Sequence, residues 1–143
     1  MVSINSEYPV PKLILRKLKF IAQSILEQEK LTGVELSILL ISDAKITELN
    51  QKYFKSNRVT DVIAFPQGDS KLLGDIVISG ETAEKQAMER RHHLEDELAY
   101  LLIHGILHLL GFDDTKTNLR RKMRVKERAY LTQFHIEAHP EKS

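Results

Sequence analysis

Cysteine is absent from the 143 residues, which excludes a disulfide framework and any metal site built from thiolates. A metal ion bound by this chain must therefore have nitrogen and oxygen ligands. The lack of cysteine also fits a reducing compartment, and we expect a cytoplasmic location. The N-terminal stretch MVSINSEYPV has no charged start followed by an apolar block, so we expect no signal peptide.

Long apolar runs and a strong net charge are missing as well. The longest apolar run, AYLLIHGILHLLGF, is shorter than the roughly 20 residues that cross a bilayer, so we expect no membrane partner. The formal net charge is only +1, so the chain as a whole is not a polycation. Aromatic residues make up 6% of the chain, which argues against extensive stacking on nucleic-acid bases.

Positive charge is nevertheless concentrated in two segments. Between Lys116 and Arg128, seven basic residues accompany a single acid, Glu127. The second cluster consists of Lys12, Arg16, Lys17 and Lys19. These segments are either surfaces for a polyanion or ordinary solvated helix faces, and the sequence leaves both interpretations open.

The hydrophobic pattern predicts strands in the first half of the chain and helices from residue 81 onward. After a short extended start, we expect strands over Val34–Ser42, Val59–Phe65 and Leu72–Ser79. We expect helices over Pro11–Lys30, from an N-cap at Asp43, and over about Glu81–Arg91, Leu94–Leu110 and Thr117–Phe134. This order predicts a single α+β domain over residues 1–143, with a small mixed β-sheet packed with helices and a disordered tail from about residue 136.

The segment HGILHLLGFDD, residues 104–114, has the features of a metal site. His104 and His108 project the same way from a helix, with Cβ atoms about 5–6 Å apart. Gly111 suits the end of that helix because glycine adopts the left-handed conformation without penalty. The chain can then return Asp113 or Asp114 to the histidines. In the alternative, both histidines pack in the core and bond to backbone or carboxylate groups, but the combined pattern favours metal.

The ligand spacing H-x-x-x-H-x-x-G-x-x-D is that of the metzincin proteases, with aspartate in the third position. Those enzymes carry a glutamate general base directly after the first histidine, where this chain has Gly105. The missing base counts strongly against a protease. His92 and His93 are adjacent and would diverge by about 100° on a helix, so we expect both at the surface.

The histidine segment resembles the signature H-G-x-L-H-L-x-G-Y/F-D-H of the YbeY family of bacterial RNA-processing metalloproteins. The stretch LNQKYFKSNRVTDVIAFP, residues 49–66, resembles the family's L-N-x-x-Y-R followed by T-D-V-L-S-F-P. The stretch LLGDIVIS, residues 72–79, resembles its G-D-I-x-I strand. Three segments in the same order, over nearly half the chain, identify the chain as a member.

The resemblance implies a single α+β domain with one divalent metal ion, zinc, at the end of the central histidine-bearing helix. It also implies a single-strand-specific, metal-dependent endoribonuclease that matures the 3′ end of small-subunit ribosomal RNA and takes part in ribosome quality control. The implied partners are ribosomal RNA and the small ribosomal subunit, and no DNA is expected. On this basis Arg120, Arg121 and Arg124 are candidate RNA-binding residues.

The chain departs from the family pattern at its third ligand, where Asp114 stands in place of histidine. Two histidines and one carboxylate form an established zinc set, so His104, His108 and Asp114 are the predicted ligands. Asp113 occupies the family's own aspartate position, which suggests a supporting or capping role. The alternative makes Asp113 the ligand and Asp114 the N-cap of the next helix.

The second departure is Phe54, which follows the tyrosine where the family has an arginine thought to act on the RNA phosphate. Lys55 and Arg58 are the nearest cations and the candidate catalytic residues, unless both are ordinary loop charges. The base that activates water stays unassigned. The rival hypotheses are a non-catalytic ribosome-biogenesis binding module with a structural metal, which Phe54 favours, and a metalloprotease, which Gly105 opposes.

Overall fold

The computed structural model describes residues 1–56, 60–67, 71–113 and 115–138, which form one mixed sheet and surrounding helices. The strands are β1 (Val2–Ser6), β2 (Glu35–Ile41), β3 (Val62–Pro66) and β4 (Leu72–Ser79). Their order in the sheet is β1-β2-β4-β3. β1 and β4 lie parallel to β2, whereas β3 is antiparallel to β4. This mixed sheet with its helices confirms the predicted α+β class.

Helices connect and cover the strands. They are α1 (Lys12–Gln28), α2 (Asp43–Phe54), α3 (Gly80–Arg90), α4 (Leu94–Leu109) and α5 (Thr117–Gln133). The predicted bounds of α1, α3, α4 and α5 agree within two residues. The N-cap of α2 is Ser42 instead of Asp43, since the Ser42 hydroxyl accepts a hydrogen bond from the backbone N–H of Lys45 at 3.2 Å. Within the described ranges, no helix is both long enough and apolar enough to cross a membrane.

Three segments differ from the sequence-based expectation or extend past the described residues. The extended start is a strand, β1, which pairs in parallel with β2 at the edge of the sheet. β3 begins at Val62, and the predicted start at Val59 lies outside the described residues. Ile136 is buried in the core, whereas residues 139–143 are not described, so disorder there stays a prediction.

The sheet is covered unequally on its two faces. Alternate residues of β2 point to opposite faces, as the pleat requires. Leu36, Ile38 and Leu40 join the large core formed with α1, α4 and α5. Ile41 joins a smaller core against α2 on the other face. Within the described residues β3 is an edge strand of the sheet, and it contacts both α2 and α4.

A buried carboxylate joins α3 to α4. Glu97 is fully buried and accepts hydrogen bonds at 2.9 Å from Gln86 Nε2 and from Arg90 Nη1. It also contacts His92, whose side chain is only 3% exposed, so the prediction that His92 is a surface residue is wrong. His92 and His93 lie in the turn between the two helices, where the angular spacing of helical residues does not apply. His93 is exposed, as expected.

We expect Arg90→Ala to lower the free energy of unfolding by about 2 kcal/mol, because hydrogen bonds to charged groups contribute roughly 1.5–3 kcal/mol and the Glu97 carboxylate stays buried. Urea denaturation measures the change. The control is Arg91→Ala, which removes the same charge from the neighbouring, exposed position. Equal stabilities of the two variants would show that the buried ion pair contributes nothing.

Candidate metal centre

A cavity of about 470 Å³ opens where α4 lies beside the edge strand β3 and the end of α2. Asn50 and Phe54 line it from α2, while β3 and the residues just before it form a second wall. His104 and His108 reach it from α4, one turn apart. The remaining described lining residues are Thr60, Asp61, Val62, Ile63, Ala64, Pro66, Gly105 and Leu109.

The two imidazoles converge on one point at this cavity. Nε2 of His104 lies 3.1 Å from Nε2 of His108, and the ring planes meet at 71°. Two nitrogens bound to one tetrahedral zinc at about 2.0–2.1 Å are separated by roughly 3.3–3.4 Å. The observed separation is within a few tenths of an ångström of that value. The pair therefore fits the nitrogen half of a zinc site.

A carboxylate from another helix orients the first histidine. Nδ1 of His104 lies 2.6 Å from Oε1 of Glu127 on α5, and Glu127 is only 5% exposed. A carboxylate accepts, so the proton resides on Nδ1 and the lone pair of Nε2 is directed into the cavity. A carboxylate that does not itself bind the metal commonly orients a metal-binding histidine in this way. If His104 were only a packing residue, we would also expect it to contact a carboxylate. It does contact Glu127, but through Nδ1, whereas Nε2 faces His108.

Tyr100 flanks the same histidine without adding charge. Its ring centroid lies 6.0 Å from that of His104. Burial, and then the neighbouring Glu127 carboxylate, raise the pKa of Tyr100 well above its usual value. The phenol therefore stays neutral at physiological pH.

Glycine ends the histidine helix in the predicted way. Gly111 has φ +99°, and its N–H donates to the carbonyl of His108, while the N–H of Phe112 donates to the carbonyl of Leu107. These two bonds form a Schellman motif, which needs the left-handed conformation at Gly111. The chain turns directly after His108, and Asp113 follows with its carboxylate accepting from the N–H of Thr115.

The third ligand is not located. Asp114 lies outside the described residues, and within the described part of the chain no group of three histidine, aspartate or glutamate side chains is arranged to hold a metal ion. The N-cap position of α5 is Lys116, which makes no side-chain cap hydrogen bond. The assignment of Asp114 as ligand stays a prediction.

Gly105 is a packing residue between the two histidines. A Cβ atom at Gly105 would lie 3.0 Å from Cγ2 of Ile76 on β4, closer than ordinary van der Waals contact. Glycine thus allows α4 to lie close against the sheet. A larger side chain at this position would require the Ile76 side chain to shift by a few tenths of an ångström.

The structure describes all but one of the candidate cations. Lys55 is exposed, has φ +52° as the C-cap of α2, and is not among the described residues that line the cavity. Arg58 lies outside the described residues. On α5, Arg121 is exposed, and Arg120 and Arg124 are half-buried.

Glu127 is the site residue that the sequence did not reveal. In the sequence it stands out only as the single acid in a basic segment. Its spacing from Met123 and Tyr130 is the available signal, because all three share one face of a helix and both neighbours are buried. A carboxylate on a buried face needs a partner. Which partner it meets is a matter of tertiary packing.

Comparisons with known proteins agree with the motifs. A family model described as endoribonuclease YbeY matches residues 3–135. An endoribonuclease YbeY from Aquifex aeolicus is 50% identical over 90 residues, which cover 60% of this chain and 60% of that protein. One from Moorella thermoacetica is 40% identical over 147 residues, covering 90% of this chain and 94% of that protein. A solution structure from Thermotoga maritima aligns over 100% of both chains, with a TM-score of 0.65 and 27% identity. Because the family model spans most of its length, the chain belongs to the YbeY endoribonuclease family.

Proposed function

We propose that this protein is a metal-dependent endoribonuclease that cleaves single-stranded RNA in the maturation of the small-subunit ribosomal RNA 3′ end and in ribosome quality control. Family membership supports cleavage of RNA. The convergence of the His104 and His108 Nε2 atoms is the observation that supports a metal. The ribosomal RNA, the small subunit as partner and the cytoplasmic location are drawn from the family resemblance.

The proposed cofactor is one divalent ion, zinc, held by His104, His108 and Asp114. When bound, such an ion supplies Lewis acidity to a phosphoryl oxygen or to a water molecule. Glu127 keeps the proton of His104 on Nδ1, so that Nε2 is available as a ligand. Lys55 or Arg58 would neutralise charge that develops on the phosphate. The nitrogen and oxygen donors also fit a chain without cysteine.

The proposed RNA contacts follow from the placement of α5. Arg120 and Arg124 share a helix face with Glu127, at spacings of seven and three residues. Glu127 contacts His104, so this face of α5 lies beside the histidine helix. Lys126 instead bonds to Glu29, the C-cap of α1, at 2.7 Å, which gives it a role in helix packing.

A second candidate function is a ribosome-biogenesis binding module in which the metal only fastens the Asp114 loop to α4. Phe54 favours it, because this residue stands where the family's arginine would contact phosphate. A phenyl ring cannot stabilise charge on a phosphate. The two functions make opposite predictions for cleavage.

We expect labelled RNA with an unprocessed small-subunit 3′ end to be cleaved by the zinc-loaded protein, and not by the metal-stripped protein or by the variant His104→Ala/His108→Ala. His93→Ala, at an exposed position directly before α4, is the matched control and should cleave normally.

Unchanged cleavage and metal content in the double variant would contradict the proposed site. Binding to ribosomal particles without cleavage by any form would favour the binding module. Casein hydrolysis that a chelator abolishes would support the metalloprotease hypothesis.

We expect Glu127→Ala to weaken zinc binding by about 10- to 100-fold, the usual effect of removing a carboxylate that orients a histidine ligand. Glu127→Gln keeps an acceptor oxygen and should lose less. Competition with a chromophoric chelator measures both affinities. The control is Glu29→Gln, which also removes a carboxylate bonded to α5 but away from the histidines. Equal zinc affinities of the Glu127→Ala and Glu29→Gln variants would show that Glu127 does not support metal binding.

We expect Arg120→Ala/Arg121→Ala/Arg124→Ala to weaken RNA binding and to reduce the slope of log affinity against log salt by about 0.7 for each phosphate that the variant no longer neutralises. The matched variant Lys12→Ala/Arg16→Ala/Lys19→Ala removes three exposed charges from α1. Filter binding from low to high salt gives both slopes. A larger change of the salt slope in the α1 variant would show that RNA binds the basic cluster on α1 instead.

A further inference from the structure

Three aromatic rings form a cluster at the end of α2, and one of them, Phe54, lines the cavity. Phe54, the last residue of α2, stacks on Phe65 of β3 with ring centroids 5.6 Å apart and an interplanar angle of 25°. Tyr53 meets the same Phe65 ring edge-on at 5.3 Å. Phe65 is half-buried and supports the other two, whereas Phe54 remains 54% exposed. A large apolar ring is therefore held in a set orientation yet presented to solvent.

The Phe54 ring belongs to the same cavity as the histidines. Asn50 and Phe54 lie one helical turn apart on α2 and both line the cavity, opposite His104 and His108. Phe54 is the last residue of α2 and packs against the edge strand β3 through Phe65. A group resting on the ring would lie next to the proposed reaction centre.

We infer that Phe54 is a stacking platform for one unpaired base of the RNA, adjacent to the phosphate that is cleaved. This inference rests on the proposed function. A phenyl ring offers no hydrogen bond to a phosphate, but its face stacks on any base, and proteins bind single strands in this way. The cavity volume of about 470 Å³ is within the usual range for small-ligand sites.

The charges around the ring suit a nucleotide chain. Lys52 and Lys55 flank Phe54 in the sequence, and Lys52 Nζ lies 5.4 Å from the centroid of the Tyr53 ring. Basic residues near a stacking ring can meet the phosphates of the bound strand. Asp61 also lines the cavity, where its carboxylate accepts from the N–H of Val62 at 2.8 Å.

This platform would select single-stranded RNA. In a duplex each base is already stacked and paired, so none can lie on Phe54 without being extracted. A base next to the scissile bond must therefore be unpaired. The selectivity would depend on strand state more than on base identity, and it needs only one aromatic position, as the low aromatic content allows.

The test is a series of single-stranded RNAs from the unprocessed 3′ end, each with one abasic nucleotide near the cleavage position. We expect one abasic position to weaken binding to the wild-type protein by roughly 5- to 150-fold, the range measured when a stacking aromatic is removed. Phe54→Leu should bind intact RNA equally weakly and should not respond to the abasic position. Phe54→Tyr should behave as wild type.

The matched control is Phe20→Leu, because Phe20 is also an exposed phenylalanine, at 62%, but lies on α1 and contacts Phe134. It should keep the full response to the abasic nucleotide. Phe54→Arg should lose that response and increase the salt slope by about 0.7, since it exchanges a base contact for one phosphate contact on a single strand.

Binding and cleavage are read separately, so the two proposals can fail independently. One outcome is that an abasic position weakens binding to the wild-type protein but not to Phe54→Leu, while neither protein cleaves RNA. This outcome would support the stacking platform and contradict the proposed endoribonuclease activity. Normal cleavage with no abasic position that distinguishes wild type from Phe54→Leu would overturn the platform and keep the enzyme. Equal responses of the Phe20→Leu and Phe54→Leu variants would overturn it too.

Discussion

Burial of α4 on nearly every side is the constraint on which the rest of this structure depends. The helix packs against the sheet and against α1, α3 and α5, and its apolar residues from Leu98 to Leu107 are almost fully buried. A polar side chain on such a helix must find a partner or line an opening. Glu97 accepts hydrogen bonds from Gln86 and Arg90. His104 contacts Glu127. The opening beside β3 leaves room for the facing edges of His104 and His108.

The close approach of α4 to the sheet determines how deep the histidines lie. Gly105 stands between them in sequence, and a Cβ atom there would lie only 3.0 Å from Ile76 of β4. A larger residue there would separate the helix from Ile76 and shift both imidazoles relative to Glu127. The same small residue that allows this packing also removes the general base of the zinc proteases. Glycine at this position thus affects both the packing of α4 and the chemistry of the site.

The sequence differs from the family pattern at two positions, Asp114 and Phe54, and under the proposed function both would change what the site binds. Asp114 in place of histidine would bring an anionic ligand to the metal, which makes a bound water less acidic and favours harder ions. Phe54 in place of arginine exchanges a phosphate contact for an aromatic face supported by Phe65. Recognition would then depend more on the state of the bases and less on charge next to the histidines.

The sequence by itself determined the features that depend on neighbours along the chain. The α+β order, the bounds of α4, the shared direction of His104 and His108, and the helix end at Gly111 all follow from local periodicity and from backbone conformation. The tertiary structure alone decided which distant groups meet: Glu127 with His104 across 23 residues, Phe54 with Phe65, and β1 with β2. It also placed His92 in a turn against Glu97, whereas helical spacing predicts a surface position. Periodicity reports which face of an element is apolar, but not which element covers it. The pairing of buried polar groups depends on that packing, which only the folded chain specifies.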